Sequence, residues 1–391
     1  MRRDLITAFL LILACVPANA FGTDPKSNGL GSEHERITRA AVPDIEPVTL
    51  DRLAGKNGVV GAVGMSDQPQ RGMPQYAALH CDGADYLAPP ELGAAPYAQT
   101  FEVAKAALVA CRSLIAGELA LAVVAAKPLS EPGLDDTSLD CRFDGRGGSA
   151  KCNVLEHLGL AFHAAQDFYS RTNWVDRPAA GLIAPENPPG LGKSGRAAWL
   201  DPRRETPFPD GLISGCPGDL SLVGVTVGCE YGDWSPVFGQ RRVMRVDLNK
   251  DTGPIGRSIG GEGTTPRGKI NGNFARAVAA AIEDTRDKWA YFRDRVVATY
   301  GADAGATIIC AMERDTFNRA ACAENIAQAS VCTAREVQYV HHADVSTEFI
   351  EPSEVELRAA EALWSTLRSY CRIEESDVAR NAAIRGGEAD R

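Results

Sequence analysis

Three stretches of the chain carry long helix-forming patterns, and glycine- and proline-rich segments separate them. From Thr100 to Ala126 the run FEVAKAALVACRSLIAGELALAVVAA is strongly helix-forming, and Pro128 ends it. It is apolar nearly all round, which predicts a buried helix rather than a surface one. A second helix is expected over 154–170, with Asn153 as N-cap and Glu156 three residues on. The third, over 273–300 (NFARAVAAAIEDTRDKWAYFRDRVVATY), stops at Gly301. A short helix is predicted over 34–42, and two or three more in the tail from 302 to 391. Residues 43–98 and 177–272 read as irregular chain, apart from SLVGVTV at 221–227, which predicts a hairpin. The loop 128–152 is expected to close on Cys141 and Cys152. The fold class is therefore mainly α.

Composition narrows the picture. Among 391 residues, apolar side chains make up 45% and charged ones 24%, the proportions of a globular chain. Lys and Arg total 41 against 51 Asp and Glu, a net charge of −10. That balance excludes wrapping a nucleic-acid backbone, which needs clustered cations, so no stable nucleic-acid complex is expected. The first twenty residues have the layout of a secretory signal: Arg2 and Arg3, an apolar run from Leu5 to Cys15, Pro17, and Ala18-Asn19-Ala20 as cleavage site. Ile12-Leu13-Ala14-Cys15 can alternatively be read as a lipoprotein cleavage box. The run is too short for an ordinary transmembrane helix. No transmembrane segment is expected in the rest, and a secreted or periplasmic location follows.

Cleavage after Ala20 removes Cys15 from the eleven cysteines and leaves an even number, as disulfides in an exported chain require. Cys141/Cys152 and Cys216/Cys229 each bracket a glycine-containing loop. Cys81/Cys111 and the last four (Cys310, Cys322, Cys332, Cys371) can pair among themselves, and spacing alone leaves the connectivity open. No CxxC pair occurs, which argues against a thiolate zinc site.

The candidate chemistry lies in six histidines and a few aspartates. His163 and Asp167 stand four apart in GLAFHAAQDFYS, so a helix brings their side chains to one face, where they can share a metal or simply hydrogen-bond. His157 falls about 120° away around the same helix, off that face. His341 and His342 read as a surface pair, and Asp82 and Asp85 as loop caps or supports for His80.

The string LGLAFHAAQDFYSRTNWVD at 158–176 resembles the signature of the Het-C family of secreted proteins, itself similar to bacterial zinc-dependent phospholipases C and single-strand nucleases. HERITRAA at 34–41, HCDGADYL at 80–87 and LNKDT at 248–252 agree with it. The resemblance implies a helical domain over 21–315 with a loop insertion at 177–272, and leaves 316–391 as a cysteine-containing helical extension. It implies metal ligation by Asp67, His80, His163 and Asp167, with Asp167 bridging toward a second metal and His34 beside it. One or two zinc ions, Asp67 as general base, and a phospholipid or other phosphodiester substrate follow from the same likeness. Tyr169, Asn173 and Trp174 would then serve packing rather than catalysis.

The chain also departs from the family pattern. Arg171 stands where Het-C-like chains usually carry a histidine, NGNFAR at 271–276 lacks the usual histidine, and Phe21 replaces an N-terminal tryptophan. Arg171 would repel divalent cations or clamp a phosphate oxygen. A secreted interaction protein with a degraded metal site, and a nuclease on the same scaffold, are therefore alternative expectations.

Overall fold

The computed structural model describes residues 21–23, 31–56, 59–68, 77–87, 99–131, 137–144, 148–184, 187–215, 248–256, 259–318 and 322, together with the backbone of 220–222 and 225–227. The chain divides into one unit ending at Phe317 and a second from Asn318 onward. The first unit is described below. The signal-like segment, the Cys216/Cys229 pair, His341, His342 and nearly all of the tail lie outside the described residues.

The protein is mainly helical. In chain order the helices are α1 (Glu33–Ala41), α2 (Pro47–Ala54), α3 (Phe101–Ala125), α4 (Ala150–Arg171), the single turn α5 (Pro266–Lys269), α6 (Asn273–Tyr300) and α7 (Ala302–Glu313). Tight 3-10 turns run over Ala62–Asp67 and Ala77–His80. Among the described residues, strands form three two-stranded antiparallel hairpins, among them 220–222 with 225–227, where a hairpin was expected.

Helix α4 is the axis of the fold. It packs against α3, α6 and the 62–67 turn, and its residues are buried along almost the whole length. Its start corrects the sequence expectation. Ser149, not Asn153, is the N-cap, its hydroxyl accepting from the Cys152 amide at 3.1 Å. Asn153 lies inside the helix and donates to the Gly148 carbonyl at 3.3 Å. The region 43–98 is also less irregular than expected, because it holds α2 and both 3-10 turns. Pro47 fits the α2 N-terminus, and Gly55 at φ +94° stops the helix.

Helix α3 begins where predicted, with the Thr100 side chain accepting from the Val103 amide. It is not buried all round. Leu108, Cys111, Ile115 and Leu119 face the core, whereas Val103, Val109, Leu121 and Val124 are exposed. Phe101–Ser130 is long and apolar enough to cross a membrane by length and composition, properties that a core helix of a soluble protein shares.

Disulfides join Cys81 to Cys111 and Cys141 to Cys152. The first ties the 77–80 turn to the middle of α3, and the second ties the α4 start to the preceding loop. Cys310 of α7 is disulfide-bonded as well.

Around the C-terminal end of α4, polar side chains organise the long loop region. The Asn173 amide nitrogen donates to the Pro189 and Gly211 carbonyls, and its oxygen accepts from the Ile213 amide. The Tyr169 hydroxyl accepts from the Ala197 amide at 2.7 Å. Buried Asp176 pairs with Lys250 at 3.0 Å and Arg267 at 2.7 Å. These residues position loops, in keeping with the packing role expected for Tyr169 and Asn173.

Candidate metal centre

Four separate segments bring His34, Asp67, His80, His163 and Asp167 together. Helix α4 presents His163 and Asp167 one turn apart, with the His163 Nε2 to Asp167 Oδ2 distance at 3.1 Å. The 62–67 turn supplies Asp67 at its last position, and the 77–80 turn supplies His80 in the same way. Helix α1 supplies His34 from its first turn. Its neighbour Glu33 seats α1 by accepting from the amides of Gly22, Gly31 and Gly253 at 3.0–3.2 Å. Burial pushes the Glu33 carboxyl up, and those backbone donors pull against it.

Three donor atoms form a tight cage, and Asp67 flanks it. His80 Nδ1 lies 2.9 Å from Asp167 Oδ2 and 3.1 Å from His163 Nε2. Asp67 Oδ1 lies 3.9 Å from His80 Nδ1 and 3.8 Å from His163 Nε2. A tetrahedron with legs of about 2.0–2.1 Å has edges of about 3.4 Å, in the middle of these separations. The other oxygen of Asp167 faces away from the cage, with Oδ1 3.2 Å from His34 Nε2. Asp167 therefore offers one oxygen to a three-donor N/O set with His80 and His163, and the other to His34.

Hydrogen bonds fix which imidazole nitrogen points inward. His163 Nδ1 donates to the Val63 carbonyl at 2.8 Å, leaving Nε2 free to ligate. His34 Nδ1 donates to Gln166 Oε1 at 2.7 Å, and the Gln166 amide nitrogen is held by the Thr38 and Thr285 hydroxyls. The His34 and His163 rings stack with centroids 4.1 Å apart, and Phe21 packs edge-on against His34.

The donors fit a metal by their own chemistry. Of the donor atoms, His34 Nε2 and Asp167 Oδ1 face each other at 3.2 Å, both buried with no hydrogen-bond partner, a costly arrangement unless something else satisfies them. Burial alone would raise the Asp167 carboxyl, but His163 and His34 together hold it well below the usual carboxylate range. The buried groups His34/Asp67/His163 and His80/His163/Asp167 can each hold a metal ion. All donors are nitrogen or oxygen, a set that suits zinc in a catalytic setting. The centre is closed: only Asp67 (7%) and His80 (6%) retain measurable exposure.

Arg171 lies one turn beyond Asp167 and is 2% exposed. Its Nε is 3.4 Å from Asp251 Oδ1 and 3.8 Å from Asp82 Oδ1. Burial pushes the Asp251 carboxyl up to about 8, opposed by Arg171 and reinforced by Asp167 and Asp82. Asp82 is driven well above the ordinary range, again by burial. Asp82 thus faces Arg171, while the Asp85 carboxylate accepts from the Gln99 amide at 2.8 Å. His157 instead meets Glu118 of α3 at 2.7 Å, away from the cage as expected.

Sequence reasoning missed Asp251 as the partner of Arg171, and the Val63 carbonyl as the anchor of His163. Asp251 did lie in the matching string LNKDT; a backbone carbonyl leaves no residue-type signal at all. No protein-family model, curated protein or solved structure matches the chain, so the Het-C likeness rests on the residue strings alone.

Proposed function

We propose that the chain is an exported zinc-dependent phosphodiester hydrolase of phospholipase C type. The observation that carries the reading is the buried N/O cage of Asp67, His80, His163 and Asp167, with His34 on the second oxygen of Asp167. A bound zinc ion supplies Lewis acidity toward a phosphoryl oxygen and lowers the pKa of a coordinated water to about 7. His80 and His163 contribute nitrogen donors, and the Val63 carbonyl accepts from His163 Nδ1, which turns Nε2 toward the centre. Asp67 is the natural proton acceptor, because its Oδ2 has no hydrogen-bond partner.

A second reading, a non-catalytic interaction protein, draws on the closure of the site. The donors are almost wholly buried, as in structural zinc sites, whereas catalytic ones keep a position open. The first experiment is metal analysis by mass spectrometry of exported protein purified without chelator, beside His163→Ala. Stoichiometric zinc in the native protein, lost in the variant, supports the centre; a metal-free native protein sinks the hydrolase reading. Zinc-loaded protein is then assayed on phospholipid, single-stranded nucleic acid and a generic phosphodiester. Turnover of any of them that Asp67→Asn abolishes, with zinc retained, separates the enzyme from the scaffold.

A further inference from the structure

Beside the cage lies a second group of buried charges with unsatisfied atoms. Arg171 Nε and Nη1, Asp82 Oδ1 and both oxygens of Asp251 have no hydrogen-bond partner. They face one another at ion-pair distances of 3.4 and 3.8 Å. Asp82 and Asp251 are each 2% exposed, so water screens this cluster poorly. The two carboxylates come from different segments, Asp82 from the turn after His80 and Asp251 from the 248–256 stretch held by Ser170 and Thr172.

Charge decides what such a group accommodates. Burial alone would lower the guanidinium pKa, yet Asp251, Asp82, Asp167 and Asp67 together raise it. Two acidic side chains, Asp251 and Asp82, stand at ion-pair distance from this one cation. An arriving phosphate oxygen would have to displace them from the guanidinium, so a role for Arg171 as an oxyanion clamp is disfavoured. The arrangement suits a cation, and one is already present on the side chain.

We propose that the Arg171 guanidinium is the resident cation of a latent metal site formed by Asp82 and Asp251, and that it confines divalent metal to the neighbouring His/Asp centre. Neutralising Arg171 leaves two buried carboxyl groups, and a divalent ion takes the vacated charge position, releasing to solvent the protons they would otherwise hold. Both donors are oxygens, so the latent site takes hard cations such as manganese as well as zinc. The proposal concerns the same region as the hydrolase reading but does not need catalysis to hold.

The test counts metal on the full exported chain, stripped with chelator and reloaded with zinc alone or manganese alone. Wild type, Arg171→Met, Arg171→Lys and Arg171→Met with Asp251→Asn are compared by mass spectrometry and by the metal-induced rise in Tm. Arg171→Met is expected to hold one equivalent more than wild type and to gain more Tm on loading. Arg171→Lys and the double variant return to the wild-type count. Equal counts in wild type and folded Arg171→Met overturn the proposal, as does an extra equivalent that survives Asp251→Asn. If stripped Arg171→Met is unfolded, refolding upon metal addition supports the proposal, and remaining unfolded with metal present overturns it. A wild type that binds no metal beside an Arg171→Met that binds one refutes the hydrolase reading and leaves the latent site standing.

Discussion

Gly159 is the residue on which the geometry of the centre can be tested without touching a ligand. It sits in α4 where the 62–67 turn crosses the helix. A Cβ built there would lie 2.4 Å from the Ala62 carbonyl carbon, 2.6 Å from its oxygen and 2.6 Å from its Cβ. All three atoms belong to backbone or to a Cβ, so no side chain can swing aside, and the turn must withdraw by about 1 Å to restore ordinary contact. The same turn carries the Val63 carbonyl, 2.8 Å from His163 Nδ1, and Asp67 at the edge of the cage. A withdrawal of that size breaks the His163 anchor and moves Asp67 Oδ1 from 3.8 Å to beyond the reach of a shared metal. Gly159→Ala is therefore expected to cost about 1–3 kcal/mol of stability by overpacking. It should also weaken zinc binding roughly 10–100-fold, the usual effect of losing an outer-shell anchor. Competition titration against a chromophoric chelator measures the second effect, and urea unfolding of the metal-free protein the first. Lower stability with unchanged zinc affinity would refute the claim that this turn positions the ligands. Unchanged stability would refute the close approach itself.

Three further outcomes follow from residues elsewhere. Gly117 lies in α3 with open space around its missing Cβ, so Gly117→Ala should stabilise by about 1 kcal/mol in urea unfolding and leave zinc affinity unchanged; destabilisation would contradict that space. Replacing Cys81 and Cys111 by alanine opens a link between positions 30 apart and should cost about 3–4 kcal/mol, while also weakening zinc binding because His80 adjoins Cys81. Removing Cys141 and Cys152 should leave zinc affinity intact, and equal losses from both pairs would argue against the link to His80. Burial raises the Glu313 carboxyl from 4.5 to about 7, with Arg293 and Arg314 opposing and Asp44 adding. The folded state then holds this proton more tightly than the unfolded chain. The contribution is complete below pH 4.5 and is lost as pH rises through about 7, by up to about 3 kcal/mol. Glu313→Gln should keep that stability, so its unfolding free energy should pull ahead of wild type between about pH 5 and pH 8, and parallel profiles would refute the assignment.

What the sequence revealed depended on how local the governing interaction was. Helices α3, α4 and α6 are long, free of internal proline and bounded by cap residues, so they were readable along the chain. His163 and Asp167 were readable as a pair because helix geometry alone puts positions four apart on one face. The α4 start was misplaced because Ser149 and Asn153 are both good caps, and the choice rests on which side chain meets a free amide. Helix α2 was passed over although Pro47 and Gly55 marked its ends, since eight residues within a glycine- and proline-rich region carry little periodicity. The exposed face of α3 could not be foreseen, because a helix apolar on every side does not record which side the fold covers.

The charges around Arg171 are the furthest from local. With 51 acidic residues in the chain, nothing in their order marks Asp251, eighty positions away, as the one that faces this guanidinium. Taken with its sequence neighbours alone, an arginine one turn beyond a ligating aspartate looks hostile to metal. In the fold, Asp251 Oδ1 and Asp82 Oδ1 lie 3.4 and 3.8 Å from its Nε, so the guanidinium has acidic partners of its own outside the cage. The presence of Arg171 is therefore compatible with a metal at His80 and His163. What it opposes is a further cation on its own side of Asp167.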